Sequence, residues 1–163
     1  MLSKKAKYGM KALLLLARES HRGPILIGEL AEREGIPRKF LEAILLNLKH
    51  RGLVQSKKGH GGGYFLGRAA DEISLGEIVR QLDGPLAAIP CVSQTAYQRC
   101  SDCASEHDCA VRLAMKEVRD ATASILDGTS LLTANQRAAR AASAAPAPPP
   151  VKLARRKVKR TSR

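Results

Sequence analysis

The stretch Ile36-Pro-Arg-Lys-Phe-Leu-Glu-Ala-Ile-Leu-Leu-Asn-Leu-Lys-His-Arg-Gly52, continued by Leu53-Val-Gln-Ser-Lys-Lys-Gly-His-Gly-Gly-Gly-Tyr-Phe-Leu66, decides the architecture. Up to Gly52, the residues Phe40, Leu41, Ile44, Leu45 and Leu48 fall on one side of a helix. Pro37 suits the first position of that helix, and Gly52 stands where a C-terminal cap belongs. Beyond Gly52, a pair of short β-prone runs, Leu53 to Ser56 and Tyr64 to Leu66, flanks a glycine-rich tip, the pattern of a hairpin. Upstream, a short helix is expected from about Ile27 to Glu34 with Leu30 and Ala31 inward, closed by the turn Gly35-Ile36-Pro37. Before it, Tyr8, Ala12, Leu15 and Leu16 share one face of a first helix that ends at His21-Arg-Gly-Pro24. Two helices joined by a tight turn and followed by a hairpin make a winged helix-turn-helix. The expected fold class is therefore mainly α with a small β-hairpin wing.

Downstream, Ser74-Leu-Gly-Glu77 is a capping-box pattern that opens a fourth helix through Leu82, and Asp83-Gly-Pro85 stops it. A segment with little regular signal follows. A long helix is then expected from Cys109 to Gly128, with Val111, Val118 and Ile125 seven residues apart and Ala114 or Met115 and Ala121 or Thr122 between them. Such a seam packs against a partner helix or against the chain's own core. The partner, a second copy in a homodimer, is preferred, because helix-turn-helix proteins commonly read two half-sites. From about Ala138 the chain is built of Ala, Pro and basic residues, and disorder is expected there. The domain reading is a winged helix-turn-helix over 1–84, a cysteine-rich loop over 85–109, a dimerisation helix over 110–128 and a disordered Ala/Pro-rich basic tail over 129–163.

The net charge of +13 is unevenly spread. Residues 1–68 carry 14 Lys/Arg against 5 Asp/Glu, residues 69–127 carry 5 against 10, and residues 128–163 carry 9 basic residues and no acidic ones. A basic front and tail around an acidic middle point to a polyanionic partner, and with this topology to double-stranded DNA. No secretory signal is visible, and no apolar run approaches the ~20 residues of a membrane span, so a cytoplasmic protein without a membrane partner is expected. No paired carboxylates, Ser-His-Asp grouping or βαβ unit beside a CxxC pair suggests an enzyme.

In the expected topology the third helix enters the major groove. Its first exposed turn offers Arg38, Lys39 and Glu42. Lys39 suits a phosphate or a guanine edge, and Glu42 can accept from a cytosine amino group. Lys57, Lys58, His60 and Gly61 would line the wing, where consecutive glycines let the backbone approach DNA closely. The glycine-rich tip lacks the Gly-Lys-Ser/Thr of a nucleotide-binding loop.

All 4 cysteines lie between Cys91 and Cys109. Thiolates gathered this closely, with the pair Cys100 and Cys103 in CxxC spacing, suit an iron–sulfur cluster or zinc. In a reducing compartment metal is favoured over disulfides. Arg99 and Arg112 stand nearby in sequence to offset the negative charge of such a centre.

Several motifs together resemble the Rrf family of bacterial winged helix-turn-helix transcriptional regulators, the group of IscR, NsrR and CymR. They are Leu2-Ser-Lys-Lys-Ala-Lys-Tyr8, Ile36-Pro-Arg-Lys-Phe-Leu-Glu42, Gly52-Leu-Val-Gln-Ser56, Lys58-Gly-His-Gly-Gly-Gly-Tyr64 and Ile73-Ser-Leu-Gly-Glu-Ile78. The resemblance covers roughly residues 1–128 and implies a homodimeric transcription factor. Its cluster-binding members carry three cysteines after the fourth helix, which implies Cys91, Cys103 and Cys109 as ligands. Cys100 is an addition to that pattern and the first choice for a fourth ligand, with His107 next. Two fourth ligands used in the family fall here on Arg112 and Lys7, neither of which suits the role. The expectation is a DNA-binding regulator sensing redox, iron or nitric oxide status through a [2Fe–2S] or [4Fe–4S] cluster. The alternatives are a structural zinc site, a metal-free regulator of sulfur metabolism with redox thiols, or a nonspecific DNA binder driven by the tail.

Overall fold

A computed structural model describes residues 2–103 and 105–144. The elements run α1 (Lys4–Arg18), α2 (Ile27–Glu34), α3 (Arg38–His50), β1 (Val54–Lys57), β2 (Gly63–Leu66), α4 (Leu75–Leu82), α5 (Ala110–Asp127) and α6 (Leu131–Ala144), with short 3-10 turns at Ser20–Arg22 and Pro90–Val92. The mainly helical fold with a two-stranded antiparallel wing is the one expected.

The core is aliphatic because the chain has almost no large aromatics to bury. Leu13, Leu15, Leu30, Leu41, Leu45 and Leu48 are fully enclosed where α1, α2 and α3 meet, and Leu53, Val54, Ile73 and Ile78 extend the cluster under the wing and α4. Phe40 departs from expectation. It lies at the rim and meets Tyr8 of α1 edge-on, with ring centroids 5.7 Å apart. The aromatic pair closes the α1–α3 seam from outside, and Leu41 fills the interior position beside it.

Helix ends follow local chemistry. Ser3 caps α1 by accepting from the Ala6 N–H, and Ser74 caps α4 by accepting from the Glu77 N–H at 3.1 Å. Pro37 stands at the cap of α3, one position earlier than expected. Gly52, at φ 73°, ends α3 in a Schellman arrangement: the Leu53 N–H donates to the Leu48 carbonyl and the Gly52 N–H to the Lys49 carbonyl, both at 3.0 Å. That turn feeds the chain directly into β1.

The hairpin pairs Val54 with Leu66 and Lys57 with Gly63. Ile25, between α1 and α2, adds a single bridge to Tyr64 through two backbone hydrogen bonds of 2.9 and 2.8 Å. A Cβ on Gly63 would stand 2.4 Å from the Ile25 carbonyl oxygen, so this bridge requires glycine there. The wing is thereby tied to the start of α2, and Lys49 Nζ donates to Ser56 Oγ at 2.7 Å to tie it to the end of α3.

The segment 129–163, expected to be a disordered tail, is helical over Leu131–Ala144. Leu131 is fully buried, its N–H donates to the Ile73 carbonyl, and Asn135 Nδ2 donates to the Leu14 carbonyl at 3.0 Å. The helix packs along α1. The alanines that give the stretch its low-complexity look are the strongest helix formers, and a few anchoring residues suffice to dock it. The rest of the expected tail, 145–163, lies outside the described residues.

Candidate nucleic-acid interface and cysteine cluster

The residues expected to face DNA lie on one helix start and one wing tip. Arg38, Lys39 and Glu42 occupy the first turns of α3, all exposed. Arg38 Nε pairs with Glu42 Oε1 at 3.3 Å, so the free protein holds this acceptor against its own arginine. Lys57 closes β1, and Lys58, His60 and Gly61 form the exposed tip. Leu46 carries no sequence signal for this face. It is exposed on the same side of α3 as Glu42, among otherwise polar positions.

The cysteines are divided by the structure. Cys91 sits in the 3-10 turn Pro90–Val92, which packs on α5, and is 5% exposed. Cys109 is the cap residue of α5. Cys103 Sγ lies 3.5 Å from Cys109 Sγ. Cys103 and Cys109 therefore meet, while Cys91 takes no part in that thiol contact. His107 is exposed in the turn before α5. Among the described residues no three His, Cys, Asp or Glu side chains converge on a ready-made ion site.

The two touching thiols are driven apart electrostatically. Cys109, at the head of α5, accepts from the backbone N–H of Arg112 first, then from Cys103 and the Val111 N–H, which holds its thiol below the ordinary range. Donation to Cys109, and next the contact with Cys100, push the Cys103 thiol up to about 12. The contact thus raises one thiol and lowers the other, and both sulfurs are soft donors. Two thiolates on one tetrahedral metal with bonds of about 2.3 Å stand about 3.8 Å apart, so the Cys103–Cys109 spacing fits a shared metal with little movement.

Polar tethers hold the loop around this cluster. Tyr97 donates to the Glu106 carboxylate at 2.6 Å, which raises its own phenol pKa. Arg112 Nη1 donates to the Glu106 carbonyl at 3.4 Å. At the loop's entrance Asp83 accepts from both the N–H and the hydroxyl of Ser3, joining the end of α4 to the head of α1. Arg80 makes a bidentate pair with Asp127 at 2.6 and 2.8 Å, joining α4 to the end of α5. Arg119 is buried between α5 and the loop; its Nε stands 2.8 Å from Asp120 Oδ1 but is not aligned for a hydrogen bond. Ser3–Asp83 and Arg80–Asp127 join residues far apart in sequence, and no local pattern announces them.

The α5 seam faces outward. Val111, Val118 and Ile125 are 63%, 51% and 66% exposed, so this face does not pack on the chain's own core. No helix among the described residues is long and apolar enough to cross a membrane.

A helical body with a two-stranded wing and a basic third helix defines a winged helix-turn-helix. A family model described as "Rrf2: Iron-dependent Transcriptional regulator" matches residues 2–134, and the chain belongs to that family. An rrf2-like HTH-type transcriptional regulator of Rhodobacter capsulatus is 46% identical over 121 residues, covering 72% of this chain and 81% of the relative. The HTH-type transcriptional regulator IscR of Erwinia tasmaniensis is 38% identical over 97 residues, and the match spans 60% of this chain and 59% of that relative. Among solved structures, CymR, the global cysteine regulator of B. subtilis, superposes with a TM-score of 0.71 at 29% identity, covering 84% of this chain and 97% of that one. IscR of T. potens superposes with a TM-score of 0.69 at 27% identity, covering 86% and 90%.

Proposed function

We propose that this regulator is a homodimer that binds operator DNA sequence-specifically and senses redox, iron or nitric oxide status through an iron–sulfur cluster held by Cys91, Cys103 and Cys109, with Cys100 as fourth ligand. The observation that carries the reading is the contact of Cys103 with Cys109 at the cap of the helix whose apolar seam is left uncovered. The description of the family as iron-dependent and the kinship to IscR support it. When bound, the cluster supplies a centre that oxidants, nitric oxide or iron loss can change. Cys109 orients the head of α5, the Arg112 and Val111 N–H groups stabilise its thiolate, and Cys91 anchors the loop's other end against α5. A second copy would cover Val111, Val118 and Ile125 and so set the distance between two wings. In each half, Lys39 meets phosphate or a guanine edge, Glu42 exchanges Arg38 for a cytosine amino group, and Lys57, Lys58, His60 and Gly61 follow the backbone.

A second reading is a metal-free regulator whose thiols are the redox element. The direct Cys103–Cys109 contact, the separate position of Cys91 and the likeness to CymR favour it. Anaerobic isolation with iron, sulfide and zinc analysis separates the readings. Coloured protein with iron and sulfide supports the cluster. Colourless protein with stoichiometric zinc makes the site structural, and metal-free protein leaves the thiol reading.

A further inference from the structure

Arg112 is the third residue of α5, three positions after Cys109. Side chains on a helix lean back over the preceding turn, which here is the turn that carries Cys109. Its Nη1 reaches the Glu106 carbonyl, three residues before Cys109, at 3.4 Å. Glu106 is gripped from the other side by the Tyr97 hydroxyl. The two bonds form a clasp across the cysteine turn, running from Tyr97 through Glu106 to α5. Arg112 Nε is a buried donor, and no acceptor among the described residues takes its hydrogen. A buried N–H is costly unless an acceptor takes it, and native structures leave few such groups unused.

We propose that Arg112 is a positioning residue of the cysteine site: it clasps the turn onto α5 and holds its free Nε–H for a sulfur of the group bound by the cysteines. The second half rests on the cluster reading above; the clasp does not. Arg112 ligates nothing. It fixes the turn that brings Cys103 to Cys109 and donates to sulfur, and N–H donors to cluster sulfurs raise the reduction potential.

The test uses full-length protein isolated without oxygen, as wild type, Arg112→Gln and Arg112→Lys. Gln removes the charge and the Nε–H, whereas Lys restores the charge alone. The first readout is the reduction potential followed by the visible spectrum. Both variants are expected to be harder to reduce, by about tenfold in the one-electron equilibrium, equivalent to about 59 mV. Potentials equal to wild type in both variants would overturn the sulfur-donor role. The second readout is trypsin cleavage after exposed Arg99 in metal-stripped protein, which does not depend on a cluster. Faster cleavage in both variants is expected, and equal rates would overturn the clasp. If wild type itself carries neither iron nor sulfide, the cluster reading and the sulfur-donor role fall together, while the cleavage rates still decide the clasp. If Arg112→Gln fails to fold, Arg112→Lys decides both readouts.

Discussion

The body built from α1 to α4 and the loop from 85 to 109 are held together by opposite means. In the body, four helices and a hairpin close around a continuous aliphatic cluster from Ala6 to Leu82, completed by Leu131 of α6. In the loop, only Cys91, Val92 and Ser93 are buried among the described residues, and the rest is tethered by single hydrogen bonds such as Tyr97–Glu106 and Arg112–Glu106. Apolar burial of many side chains fixes a fold redundantly, whereas a few exposed polar tethers fix a geometry that small energies can change. That contrast suits a rigid reader joined to an adjustable sensor. Arg80–Asp127 ties the body to α5, and Ser3–Asp83 ties the head of α1 to the residue that ends α4, just before the loop.

The comparison can be broken most forcefully in the body. Leu45→Ala empties a fully buried position between α1 and α3, and a loss of about 2–5 kcal/mol is expected in urea unfolding. A loss under about 1 kcal/mol would mean that the core is not the redundant element described. Next comes the reading face: Lys39→Ala is expected to weaken operator binding by about 1–3 kcal/mol in a fluorescence anisotropy titration, with the melting temperature unchanged. Unaltered affinity would remove α3 from the interface. Smaller is the helix cap. Ser74→Ala deletes the acceptor for the Glu77 N–H and is expected to cost about 1 kcal/mol in the same urea experiment.

The smallest effect sharpens the boundary between the regions. Arg80 holds the Asp127 carboxyl below its ordinary value of 3.8. A carboxylate with a lowered folded pKa contributes stability that is fully present above the unfolded value and is lost as pH falls through the folded one. Asp127 is partly exposed, so solvent limits the pair to less than about 1 kcal/mol. Asp127→Asn is expected to destabilise the protein slightly at pH 7, the wild-type advantage fading as acid protonates the carboxyl and vanishing below its folded pKa. A difference that persists undiminished into acid would assign the effect to packing.

The winged body is far more legible in the sequence than the cysteine loop. Periodic leucines, Gly52 and the glycine tip specify α3 and the wing because each signal is local, and α2 and α5 begin and end close to where their patterns do. Helix α6 is hidden by composition, since its docking rests on few anchors such as Leu131 and Asn135. The Ile25 bridge leaves no pattern because it is a single pair. The meeting of Cys103 with Cys109 follows from their closeness in sequence, but the separate seat of Cys91 and the clasp at Glu106 depend on how the loop folds over α5. Sparse tethers between distant residues carry no periodicity to read.

On this reading the cysteine loop governs how the winged body holds DNA. The direct measurement is the operator dissociation constant of protein isolated without oxygen, compared at fixed salt with the same protein stripped of metal and with its Cys103→Ala variant. Iron and sulfide are expected in the first sample, with an affinity that differs at least several-fold from that of the other two. Equal affinities in all three samples, with neither iron nor sulfide in the first, would contradict it.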